Sequence, residues 1–113
     1  MLTIAVVLFA VAALGGGTLA ALHFRQKGLP IALTVAHGLF AAAGLVALIV
    51  AVIGGSTGNL LISSLALFVI AALGGFGLFS FHLRHLRLPT PVVMIHGLVA
   101  VVAFVLLLLR IGR

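Results

Sequence analysis

Four apolar runs separated by three short polar breaks cover almost the whole chain: about Leu2–Phe24, Pro30–Ile53, Leu60–Leu83 and Pro91–Leu109. Crossing the hydrocarbon core of a bilayer takes roughly 20 apolar residues as a helix. Each run meets or nearly meets that length. The pattern predicts four transmembrane helices with almost no loop between them. It therefore predicts an all-α membrane protein, a single four-helix transmembrane domain over residues 1–113, with no soluble domain attached.

The breaks carry their own chemistry. Gly28-Leu29-Pro30 suits a helix end followed by proline at the start of the next helix, and Leu88-Pro89-Thr90-Pro91 does the same further on. Gly54-Gly55-Ser56-Thr57-Gly58-Asn59 reads as a flexible polar turn. The first run is expected to be a retained helix rather than a secretion signal. It lacks a basic start, and it outruns the roughly 7–15 apolar residues of a signal core.

Composition narrows the class. Of 113 residues 65% are hydrophobic, six are Lys or Arg, and none is Asp or Glu. A soluble domain carries about 25% charged residues, so the chain belongs in a bilayer. A bacterial inner membrane is the expected residence. No nucleic-acid partner is expected, and lateral contacts, including a homo-oligomer or a larger membrane complex, are favoured over soluble partners. The absence of Cys excludes disulfides, thiolate metal sites and covalently attached haem. Without carboxylates or thiols, the acid–base groups near neutral pH are five histidines and the amino terminus. No hydrolytic or group-transfer chemistry is visible.

The chain also repeats. Residues 1–54 laid on 60–113 give 19 identities. The polar matches are the informative ones: His23 with His82, Arg25 with Arg84, Pro30 with Pro89, and His37-Gly38 with His96-Gly97. This predicts two tandem helical hairpins. Each has an even number of crossings, so the copies share one orientation about a pseudo-two-fold axis along the membrane normal. Arg25, Lys27, Arg84 and Arg87 flank the first and third loops, against Arg110 and Arg113 on the other side. By the positive-inside rule those loops face the cytoplasm and both termini face out.

Four histidines thus fall toward one face of the membrane. His37 and His96 lie deeper than His23 and His82 by roughly 7–9 Å at the helical rise. An ionisable residue within a transmembrane helix is a functional hypothesis by default. Equal depth on facing helices is what two axial imidazoles need, and His37/His96 are the first choice because they are drier. His23 and His82 then become neighbouring groups, quinone contacts or alternative ligands. Residues seven positions away share a helix face. Seven before His23 and His82 are Gly16 and Gly75; seven after His37 and His96 are Gly44 and Ala103. These small residues allow clearance for a flat group, or simply close helix packing. Phe40, Phe79 and Phe104 are expected walls. Lys27 and His85 share faces with His23 and His82, suited to acidic edge groups, while Arg25 and Arg84 lie about 200° round and snorkel to headgroups.

This arrangement resembles membrane b-type cytochromes, in which a four-helix bundle holds haem between histidines of facing helices. The resemblance covers the bundle and the intramembrane histidines, not a sequence motif. It implies non-covalent haem b and electron transfer, with quinone or a larger redox complex as partner and no catalytic residues. The chain departs from electron-carrying transmembrane cytochromes in having histidines at one face only. The rival pairing is His23/His37 with His82/His96. Other readings stay open: a Zn or Cu ion, a chlorophyll-type pigment with one axial histidine per magnesium, proton or anion transport, and histidines that only tie helices together.

Overall fold

The computed structural model describes residues 1–113 as four helices and no strand. They are α1 (Leu2–Phe24), α2 (Ile31–Ile53), α3 (Asn59–Leu83) and α4 (Thr90–Ile111). All four are long and apolar enough to cross a bilayer. Helix is the expected state for such segments, because lipid offers no partner for an unpaired backbone N–H or C=O. Pro30 and Pro89 are the N-caps of α2 and α4 rather than their first residues. There a missing N–H costs nothing, since a helix start leaves its first N–H groups unpaired anyway.

α1 and α3 end where the apolar runs end, at Phe24 and Leu83, but the turn that follows differs from the sequence reading. Gly28 was the natural stop signal, but the chain turns earlier, at Gln26, whose φ is 56°. His85, 59 positions on, has the same φ of 56°. In each turn the next residue bonds back five positions: the Lys27 N–H to the Leu22 carbonyl at 2.9 Å, the Leu86 N–H to the Phe81 carbonyl at 3.0 Å. This left-handed cap satisfies carbonyls the helix end would orphan. The capping bonds select the left-handed conformation without a glycine. In the middle turn Gly55 and Gly58 do take positive φ, 110° and 120°.

The packing is hairpin by hairpin. α1 lies along α2 and α3 along α4, with thinner seams between α2 and α3 and between α1 and α4. The diagonal pairs, α1 with α3 and α2 with α4, bring no Cα atoms within 8 Å of each other. The bundle is 42 Å long. Its outer faces are strongly apolar: Leu14, Ile53 and Phe76 are 76%, 81% and 72% exposed. Such surface is stable against acyl chains and not against water.

The core is confined to one half of the bundle. Ala5, Phe9, Ala47, Leu48, Leu61, Phe68, Ala103 and Leu107 form a single cluster toward the termini and the middle turn. At its centre the rings of Phe9 and Phe68 stack across the α1–α3 diagonal, 3.8 Å between centroids and 1° between planes. Ser64, fully buried, donates to the Ala103 carbonyl at 2.8 Å. Toward the first and third loops the filling stops. No residue between Gly44 and His23, or between Ala71 and Ala103, is buried.

Candidate functional site

His37 and His96 meet across the α2–α4 diagonal, in the half where the core ends. Their ring centroids are 6.3 Å apart and their planes nearly perpendicular, at 87°. Each ring is tethered within its own hairpin. His37 Nδ1 lies 2.7 Å from the Ala12 carbonyl and His96 Nδ1 2.8 Å from the Ala71 carbonyl. A carbonyl only accepts, so Nδ1 carries the proton in both rings, and a neutral ring then offers Nε2 as a lone-pair donor. Neither Nε2 has a hydrogen-bond partner, and no fully buried side-chain nitrogen lacks one. Each Nε2 is therefore not fully buried.

The glycines explain how two imidazoles fit. A Cβ on Gly16 would stand 2.8 Å from His37 Cε1, and one on Gly75 3.2 Å from His96 Cε1. A Cβ on Gly15 would lie 3.5 Å from His37 Cβ, and one on Gly74 3.6 Å from His96 Nδ1. The glycines of each odd helix thus seat the deep histidine of its hairpin partner, not the shallow histidine on their own helix. The next layer is also occupied, since a Cβ on Gly44 would meet the Phe9 ring at 3.0 Å. Ala103, fully buried, accepts the Ser64 bond described above. Below the imidazoles the bundle is full, and above them it is not.

His23 and His82 sit nearer the loops and differ from one another. His23 is buried and its Nε2 lies 3.0 Å from Thr90 Oγ1, joining α1 to α4. The His82 ring makes no hydrogen bond and stacks on Phe79, 6.2 Å between centroids. Both line a crevice of about 620 Å³ between the first and third loops, with Lys27, His85 and Arg87. Arg25 and Arg84 lie outside it; Arg84 rests over the Phe81 ring at 4.9 Å and donates to the Ser80 carbonyl. Of the expected walls, Phe79 stands beside His82, Phe104 packs on the core, and Phe40 is 40% exposed on the outer face.

Sequence reasoning overlooks three contributors. Thr90 stands opposite Ile31 in the repeat, so register alone hides it. The Ala12 and Ala71 carbonyls leave no side-chain signal at all. Phe9 and Phe68 were visible as an identity 59 positions apart, and only their contact was missing. Among sites of the three-ligand kind, no cluster of three or more His, Cys, Asp or Glu is present. Compared with known proteins, the chain matches no family model, no curated sequence and no solved structure.

Proposed function

We propose that the protein is a small integral membrane haem b protein for electron transfer, with His37 and His96 as the axial ligands. The observation that carries this is the close pair of imidazoles, each tethered through Nδ1. The two rings lie 6.3 Å apart between centroids, and with Nδ1 bonded to a carbonyl each would hold an iron through its remaining nitrogen, Nε2. A metal-bound histidine usually donates its other ring N–H to a carbonyl or carboxylate. Ala12 and Ala71 serve that role in a chain without carboxylates. The seam between hairpins is thin, so it is the plane that can admit a flat group above the Phe9–Phe68 stack.

The protein's share of the work is then plain. The carbonyl bonds hold the imidazoles in one tautomer and orientation and raise their basicity. The apolar helices keep water from the ligands. Bound haem supplies a one-electron iron couple. Exchange with quinone or with a larger redox complex in the same membrane fits a chain with so little loop. The first and third loops are placed in the cytoplasm on the charge asymmetry. The cysteine-free chain makes this directly testable, because a single cysteine at Arg25 or Arg84 should be labelled by an impermeant reagent only from inside.

A second reading is favoured by the same two hydrogen bonds. Interhelical bonds from polar side chains also tie bundles together, and His37 and His96 do join α2 to α1 and α4 to α3. Absorption spectra of protein expressed with ample haem, oxidised and dithionite-reduced, decide between them. The haem reading expects a Soret band that disappears in His37→Ala and His96→Ala and persists in His82→Ala. No band in the parent protein leaves the histidines as helix ties. A band lost only with His23 or His82 moves the ligands to the shallow pair.

A further inference from the structure

We propose that the crevice between the first and third loops binds the phosphate group of an anionic phospholipid. Five basic side chains from both hairpins converge on it: His23, Lys27, His82, His85 and Arg87. The chain contains no Asp or Glu, so no side chain of the protein can neutralise Lys27 and Arg87. The counter-charge comes from outside. The crevice lies at the ends of α1 and α3, helices long enough to cross a bilayer, and so at headgroup depth. Leu29, Ile31, Leu86 and Leu88 give the same crevice an apolar edge, suited to the glycerol and the first acyl methylenes. A basic pocket between transmembrane helices at the interface is the recognised setting for an acidic headgroup.

Two details separate a site from a basic surface. Gln26 and His85 hold the left-handed conformation that turns each loop over the helix end, and both line the crevice. Arg25 and Arg84, next in sequence on the same face, stay outside it. His82 has no internal partner, unlike His23, which is engaged by Thr90. His82 is therefore free to donate to a phosphate oxygen.

The proposal does not rest on haem, and its test uses haem-free protein so that haem propionates cannot supply the anion. Native mass spectrometry of the purified protein would compare phosphatidylglycerol with phosphatidylcholine of the same acyl chains. The anionic phosphatidylglycerol should bind at least about tenfold more tightly than the zwitterionic phosphatidylcholine. Lys27→Gln with Arg87→Gln should weaken that binding about thirtyfold, at the known contribution of a basic residue near an anionic surface. Arg25→Gln with Arg84→Gln removes the same charge from the same face and should change it less than about threefold. Lys27→Arg with Arg87→Lys should restore it, which guards against a loss through misfolding. Equal binding of the two lipids, or equal losses in the two charge-removing pairs, would overturn the site. Displacement by millimolar inorganic phosphate would make it a soluble-anion site and overturn the lipid assignment.

Discussion

The two halves of the bundle close the same kind of gap in opposite ways. Toward the termini, Phe9 and Phe68 reach across one diagonal and stack face to face at 3.8 Å. Toward the loops, His37 and His96 reach across the other diagonal and stop 6.3 Å apart with their planes nearly perpendicular. The phenyl rings have no hydrogen bond to make and meet each other across the diagonal, so they bind hairpin to hairpin. Each imidazole spends its Nδ1 proton on a carbonyl of its own hairpin. Lipid is as apolar as leucine, so no hydrophobic force draws helices together in a membrane, and close packing must do it. Where side chains satisfy themselves within a hairpin, the hairpins share less, and the core ends.

The contrast can be broken from the packed side first. Phe9→Ala removes half of the stack and leaves a cavity between hairpins. The expected loss is about 2–3 kcal/mol, below the about 3–5 kcal/mol of a soluble core because part of the transfer term is absent in lipid. Unfolding in mixed detergent micelles measures it, with helix content unchanged before the transition. A loss no larger than that of an exposed control such as Leu14→Ala would mean that the stack does not join the hairpins.

The histidine side breaks more gently. Gly16→Ala places a methyl 2.8 Å from His37 Cε1, and Gly75→Ala one 3.2 Å from His96 Cε1. Neither ring can retreat without stretching its carbonyl bond, so overpacking of about 1–2 kcal/mol is expected for Gly16 and less for Gly75. Under the haem reading the same order should appear in retained haem. Equal effects, or a larger one at Gly75, would count against the imidazole seats as described. The smallest change sharpens the loops. Gln26→Gly relieves a non-glycine residue of left-handed φ and should stabilise by up to about 1 kcal/mol. A destabilisation there would show that the Gln26 side chain does more than its backbone.

Much of this was legible in advance. The apolar runs place all four helices within two residues of their observed ends, since length and hydropathy alone decide what can cross a bilayer. The equal spacing of His37 and His96 brought that pair to attention, and the structure does bring their rings together. The glycines were legible as small but not as seats. Periodicity relates Gly16 to His23 on one helix, whereas the atom that needs the space belongs to His37 on the next. The difference between His23 and His82 was equally hidden, because it depends on Thr90 arriving from a third helix.

By itself, then, the sequence determined the number and length of the helices, the cysteine-free and acid-free chemistry, and the gathering of basic groups toward one end. All of these follow from composition and from distance along a chain of known rise. Only the tertiary structure decided which histidines meet, which nitrogen each leaves free, what the glycines accommodate, and that the core stops halfway. Those outcomes depend on how one helix is rotated against another. In a bundle whose outer faces are nearly all apolar, hydropathy carries no record of that rotation, and side-chain packing across the seams has to set it.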